Sequence, residues 1–98
     1  MKSVLKKHIV SEVAEDTGYS KVSVSKIFDA ITDEIMFQVS NGRKVRIKGF
    51  GTFEPKHRAA RTGRNPHTDT PVHIPPTTVP FFTPGEQFKD YVKRLGGK

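Results

Sequence analysis

A run of basic residues separated by small ones occupies the second half of the chain and reads K-H-R-A-A-R-T-G-R-N-P. It contains no acidic residue, and its only apolar side chains before the final proline are alanines. Such a segment cannot form packed core, so it is either solvated or lies against a polyanion. These residue types favour a nucleic-acid-binding arm. The candidate contact residues in it are Lys56, Arg58, Arg61, Arg64, Asn65 and Pro66.

Arginine suits this role because its guanidinium donates several hydrogen bonds and loses hydration readily. Successive residues on a strand point to opposite faces, so Arg58, Arg61 and Arg64 do not all share one face. A narrow ribbon carrying them could contact a rod-like polyanion from both sides. Pro66 allows two interpretations: a rigid ring at a ribbon tip can wedge between base pairs, whereas Asn-Pro is also an ordinary start of a turn. Local sequence alone favours the turn.

Composition narrows the class of protein. The length of 98 residues predicts one domain. Only 34% of residues are hydrophobic, against about 45–50% in typical domains, which suggests a core shared between subunits or a segment outside the core. The net charge of +7 indicates a polyanionic partner: DNA, RNA or acidic lipid. The absence of cysteine excludes disulfides and thiolate metal sites.

The expected location is the cytoplasm. The N-terminal residues contain no apolar run of a secretory signal. No stretch approaches the roughly 18 apolar residues that a membrane-spanning helix needs, so we expect no membrane partner.

Two helices are predicted first. Ser3 can cap one that ends at Thr17-Gly18, and Ser20 can cap a second that ends at Ser40 before Asn41-Gly42. Apolar residues recur at helical spacing through the second helix for about twenty residues, the strongest periodic signal in the chain.

Strand patterning follows from Arg43 onward. The glycines of G-F-G allow a turn, so residues 45–49 should pair with a strand from Thr52 that continues into the arm. Alternation places Lys44, Arg46 and Lys48 on one side of the sheet. That side either faces DNA or simply faces solvent.

The returning half of the arm contains Pro71, Pro75 and Pro76, which suit an exposed two-stranded ribbon. Because such a ribbon is marginal alone, we expect the arm to be mobile until a ligand orders it. Val79, Phe81 and Phe82 should then return to the core. The run Thr83-Pro84-Gly85-Glu86 predicts a capping box, with proline in the first helical position, for a last helix.

The motifs G-F-G-T-F-E, R-A-A-R-T-G-R-N-P and V-P-F-F-T-P-G, at this separation, resemble the HU/integration host factor family of bacterial histone-like DNA-binding proteins. The resemblance covers nearly the whole chain. It implies an intertwined dimer whose two arms enter the minor groove of duplex DNA. It also implies that Arg58, Arg61, Arg64 and Asn65 match the family's arm contacts, and that Pro66 matches the tip proline that intercalates and kinks the duplex.

The sequence departs from the family pattern in several places. Thr68-Asp69 lacks the glycine that often follows the tip, and Pro55 is unusual at the base of the arm. Thr83 and Glu86 stand where HU often has lysine. Contacts to flanking DNA are therefore expected to be weaker, or to come from Lys89, Lys93 and Arg94.

Three alternatives compete with this interpretation. Residues 12–31 also have the pattern of a helix-turn-helix, although the second helix is about twice the needed length. Three of the four histidines (His8, His57, His67 and His73) lie in or near the arm, but solvated or phosphate-facing roles are favoured over a metal site. Single-stranded nucleic acid or RNA would call for aromatic residues in the arm, which has none.

The sequence thus predicts an α+β fold: two N-terminal helices, a three-stranded antiparallel sheet extended into a β-ribbon arm, and a C-terminal helix. We expect one DNA-binding domain over residues 1–98, with residues 1–54 and 76–98 as the dimer body and residues 55–75 as a flexible arm. The expected function is largely sequence-independent bending or compaction of duplex DNA in the nucleoid. The partner chain would be a second copy or a paralogue. Site-specific bending in the manner of integration host factor is the alternative. No nucleophile–base arrangement appears, so neither catalysis, a cofactor nor a small-molecule substrate is expected.

Overall fold

The structure is a computed structural model that describes residues 3–96; Met1, Lys2, Gly97 and Lys98, which the predicted domain includes, lie outside them. The chain divides into two compact units, Met1–Phe37 and Gln38–Lys98. The elements follow the predicted order: helices, sheet, arm, helix. The prediction of a single domain with residues 55–75 as a flexible arm stays a prediction.

The first unit contains α1 (Lys6–Thr17) and most of α2 (Lys21–Ser40). A small core of Val10, Ala14 and Val24 joins them. The connection is short because Gly18 has φ 79°, a left-handed conformation that glycine adopts without steric cost.

The helix starts differ in how they are capped. Ser20 caps α2 as predicted, its Oγ accepting the backbone N–H of Ser23 at 3.1 Å. The predicted cap at Ser3 is wrong, since α1 has Leu5 as its N-cap. There the N–H of Leu5 donates to Nδ1 of His8 at 3.1 Å, so a histidine side chain satisfies a group that the serine was expected to serve.

The long apolar stripe of α2 is largely uncovered in the single chain. Ile27, Ile31 and Met36 are 57%, 54% and 58% exposed. Isolated exposed apolar residues are common, but a continuous stripe of them marks an interaction surface.

The second unit contains a three-stranded antiparallel sheet in the order β1-β2-β5 and a separate two-stranded ribbon of β3 and β4. The strands are β1 (Val45–Ile47), β2 (Gly51–Arg58), β3 (Arg61–Arg64), β4 (Pro71–Ile74) and β5 (Thr77–Pro84). β2 and β5 pair from Gly51↔Pro84 to Arg58↔Thr77. The ladder then stops at Ala59-Ala60 and Pro75-Pro76, where the prolines have no N–H to donate.

Helix α3 (Glu86–Leu95) packs on one side of the sheet, where its Phe88 joins Phe50, Phe53 and Phe82 in one cluster. Phe88 stacks on Phe50 with ring centroids 5.4 Å apart, and Phe53 lies 4.7 Å from Phe82. We call the side carrying Phe53 and Phe82 the aromatic face. This cluster joins α3 to the sheet, and its phenylalanines are half-buried except Phe50, which is 46% exposed.

The predicted capping box at the start of α3 is wrong. Thr83 and Pro84 belong to β5, paired with Thr52 and Gly51, and Gly85 is the N-cap without any side-chain hydrogen bond. Backbone groups of the β1–β2 turn replace the box: Gly85 N–H donates to Phe50 O at 2.9 Å, and Phe88 N–H donates to Gly49 O at 3.1 Å.

This contact requires glycine at position 85. A β-carbon there would lie 2.8 Å from Gly49 O, which is backbone and cannot yield easily.

The expectation that Phe81 enters the core is also wrong. Strand alternation gives Phe82 to the aromatic face and Phe81 to the opposite one, where it is 37% exposed. Val79 is half-buried on the same side as Phe81. No helix within residues 3–96 is long and apolar enough to cross a membrane.

Candidate nucleic-acid interface

The arm is an antiparallel ribbon in which Arg61 pairs with Ile74 and Arg64 pairs with Pro71. Arg61 and Arg64 are three residues apart on one strand, so their side chains leave opposite faces of the ribbon. Both are exposed. Gly63 keeps the ribbon thin, since a β-carbon there would lie 2.9 Å from Ile74 Cδ1. The two-sided arrangement expected from the spacing is therefore present.

A second set of cations lies on the sheet. The register Arg46↔Thr52, combined with alternation along β2, places Arg46, Lys56 and Arg58 on the side opposite the aromatic face. We call this side the charged face. It ends close to the arm, because Arg58 is the last residue of β2 and only Ala59 and Ala60 separate it from β3.

The charged face has its own contacts. Lys56 Nζ lies 4.1 Å from the ring centroid of Phe81, a cation–π contact. Glu54 is the acidic residue on this side and pairs with Lys44 at 3.9 Å. Within residues 3–96, no carboxylate pairs with Arg46, Arg58 or Arg61, so these guanidinium groups are available to an anion.

Lys48 and Lys89 are not brought together with these residues. Lys48 lies in the β1–β2 turn beside Gln87, Phe88 and Tyr91 of α3. Lys89 is on α3, the helix that covers the aromatic face, and its Nζ lies 3.4 Å from Glu86 Oε2. Arg94, named with Lys89 and Lys93 as a flanking contact, pairs with Asp90 at 3.0 Å.

The tip is a turn from Asn65 to Thr70 closed by backbone hydrogen bonds. Asn65 N–H donates to Thr70 O at 2.9 Å, and Asp69 N–H donates to Asn65 O at 2.7 Å. Asn65 Oδ1 accepts the N–H of His67 at 2.9 Å and so spans Pro66. This Asx turn holds Pro66 exposed at the end of the arm.

Sequence reasoning missed one feature of the tip. Asp69 takes φ 57°, the only positive φ of a non-glycine residue within residues 3–96. It stands where the family pattern often has glycine and this chain does not. Its carboxylate lies 3.1 Å from the guanidinium of Arg64. The sequence signal for this ion pair was a single acidic residue five positions after an arginine, with a turn-forming segment between them.

The arm histidines stand apart from one another. His57 Nδ1 lies 3.5 Å from Thr78 Oγ1, His67 belongs to the tip and His73 pairs with Thr62 across the ribbon. Among residues 3–96 no three His, Cys, Asp or Glu side chains are grouped so that they could hold a metal ion.

Comparison with known proteins agrees with the geometry. The family model described as bacterial DNA-binding protein matches residues 4–93. DNA-binding protein HU of Geobacillus stearothermophilus is 46% identical over 88 residues, 90% of this chain and 98% of that protein. HU of Thermus thermophilus is 43% identical over 93 residues, covering 95% and 96%.

A solved structure, a cocrystal of Anabaena HU with DNA, superposes with a TM-score of 0.86 at 39% identity. It covers 91% of this chain and 97% of that one. The resemblance noted from the G-F-G and G-R-N-P motifs is confirmed, and the chain belongs to the family of bacterial DNA-binding proteins that includes HU.

Proposed function

We propose that this protein is an architectural DNA-binding protein that bends or compacts duplex DNA, largely independently of sequence, through arms that enter the minor groove. The observation that carries this proposal is the ribbon of β3 and β4, which presents Arg61 and Arg64 on opposite faces and Pro66 at its end. A helix-turn-helix regulator would use α2 and leave this arm without a role. The cocrystal of the related Anabaena HU with DNA supports the choice.

The cations divide into two roles. Those on the charged face, Arg46, Lys56 and Arg58, would contact phosphates and position the duplex, because such contacts fix register without reading sequence. Those on the arm, Arg61 and Arg64, would enter the minor groove. The negative electrostatic potential of a narrow minor groove attracts guanidinium groups.

Asn65 and Pro66 would act at the tip, Asn65 by holding the turn and Pro66 by intercalating. Lys48 and Lys89, which lie away from the charged face, would contact DNA beyond the kink.

We propose that the acting species is a dimer. The uncovered apolar stripe on α2 is the surface that a second copy, or a closely related chain, would bury. Two arms then contact one duplex, and the expected place of action is the nucleoid. No step of this mechanism requires catalysis.

The decisive experiment measures binding by fluorescence anisotropy on linear, nicked and four-way-junction DNA, with random and defined sequences, over a series of salt concentrations. The logarithm of the affinity should fall linearly with the logarithm of salt, with a slope of about −0.9 for each phosphate neutralised. Affinity that does not change with salt contradicts the electrostatic mechanism. A large preference for one linear sequence would favour a site-specific bender.

A further inference from the structure

The arm contains its own anion. Asp69 is the only acidic residue between Glu54 and Glu86 in the sequence. Arg64 Nη1 donates to both Asp69 Oδ1 and the backbone oxygen of Asp69, each at 3.1 Å. The two side chains are 65% and 82% exposed, so the pair faces the solvent from which DNA would approach.

The backbone of the turn fixes the position of the Asp69 carboxylate. Hydrogen bonds from Asp69 N–H to Asn65 O and from Asn65 N–H to Thr70 O close the turn around it. Asp69 also adopts a left-handed conformation, which glycine takes more easily than any residue with a side chain. Glycine or asparagine would take this conformation without a charge, so the turn does not require the carboxylate, whereas the contact with Arg64 uses it.

We propose that Asp69 is an intramolecular competitor for DNA, and that it sets how strongly the arm tip engages the duplex. The proposal rests on the proposed DNA-binding function. A phosphate oxygen and a carboxylate oxygen use the same guanidinium donors. While Asp69 holds Arg64, the tip has little net charge and repels phosphates at the position of the carboxylate.

Arg61 and Arg64 therefore act differently. Arg61 has no acidic partner among the described residues and is available to DNA at once. Arg64 engages DNA only when its pair with Asp69 opens. The tip then binds in two stages, with Asp69 as an affinity-determining residue that itself need not touch the DNA.

Asp69→Asn is the informative substitution. Asparagine keeps the Oδ1 acceptor and tolerates the left-handed conformation, so the turn is preserved while the charge is removed. Asp69→Gly is a second variant that adopts the same backbone conformation without strain. Asp16→Asn, at an exposed carboxylate in α1, makes the same change of net charge far from the tip along the chain.

The experiment compares anisotropy titrations of a short linear duplex across salt concentrations for the wild type, Asp69→Asn, Asp69→Gly, Arg64→Gln, the double variant Arg64→Gln/Asp69→Asn and the control Asp16→Asn. Affinity should rise about two- to fivefold for each arm in both Asp69 variants, the range of an exposed ion pair. The salt slope should steepen by up to about 0.9 per protomer, because Arg64 neutralises a phosphate in a larger fraction of the complexes. The gain should be smaller when Arg64 is already absent.

Three results would overturn the proposal: no gain from Asp69→Asn, an equal gain with and without Arg64, or an equal gain from Asp16→Asn. The last two would mean that net charge alone matters. If the wild type and every variant failed to bind duplex DNA, the proposed function itself would be overturned. If the wild type binds duplex DNA normally, the proposed function stands whatever the Asp69 variants show.

Discussion

Replacing Pro66 by alanine should reduce DNA bending much more than DNA binding. The ring is exposed at the end of the arm and spanned by the hydrogen bond from His67 N–H to Asn65 Oδ1, which alanine leaves possible. The substitution removes two methylene groups from the tip. At about 0.8 kcal/mol for each buried methylene, each tip would lose roughly 1.6 kcal/mol of contact with the bases.

An opposing term nearly cancels that loss. Without the wedge, the duplex no longer has to unstack, which costs a few kcal/mol per step, a value drawn in part from HU and integration host factor themselves. The net change in affinity should therefore stay within about tenfold, or roughly 1.4 kcal/mol. The bend, which has no such compensation, should fall toward that of free DNA.

Fluorescence energy transfer between dyes at the two ends of a short duplex measures the bend, and anisotropy on the same duplex measures the affinity. Pro71→Ala is the matched control, because Pro71 is also exposed and lies in the arm but pairs with Arg64 instead of forming the tip. Transfer efficiency equal to that of the wild type would remove intercalation by Pro66 from the mechanism. A collapse of affinity with the bend retained would show that the ring contributes binding energy only.

Three further outcomes are expected. Arg61→Ala should weaken binding to all sequences alike in salt titrations and flatten the slope by about 0.9 per protomer; a loss confined to one sequence would refute this. Ile31→Asp should convert the dimer to monomer in sedimentation equilibrium, whereas Asp33→Ala, elsewhere on α2, should not; an intact Ile31→Asp dimer would place the interface elsewhere. Phe82→Ala should lower the free energy of unfolding in urea by roughly 2–4 kcal/mol because it breaks the aromatic cluster. Phe81→Ala should lower the free energy of unfolding by only about 1 kcal/mol, the value of its cation–π contact. Equal losses from Phe82→Ala and Phe81→Ala would argue against placing the two residues on opposite faces of the sheet.

Much of the fold follows from periodicity in the sequence. The apolar spacing of α2 and the alternation from Val45 onward each repeat over enough residues to identify the element. The errors occur where a local signal meets a tertiary competitor. Thr83 and Pro84 have the pattern of a helix cap, yet β2 offers them pairing partners, and the carbonyl oxygens of Gly49 and Phe50 satisfy the N–H groups at the start of α3.

The candidate site likewise combines features that residue type predicts with features that only tertiary structure decides. Residue type alone identifies the cations and the exposed proline, because no core could accept them. Which cations share a surface depends on register: Arg46 joins Lys56 through the pairing of β1 with β2, and Lys89 is separated from both by the sheet. Neither relation is visible in local spacing.

The tip shows why charge counting alone is insufficient for this protein. Arg61 and Arg64 are indistinguishable by residue type, exposure and strand, yet the turn gives only Arg64 an internal anion. The hydrogen bonds that hold Pro66 outward involve Asn65, and Asn65 also fixes the backbone of Asp69. Asn65 therefore positions both Pro66, the proposed wedge, and Asp69, the proposed competitor, so a change in the turn that admits Pro66 to the duplex is expected to disturb the Arg64–Asp69 pair as well. In that case the step that bends the DNA would also expose the second arginine of the arm.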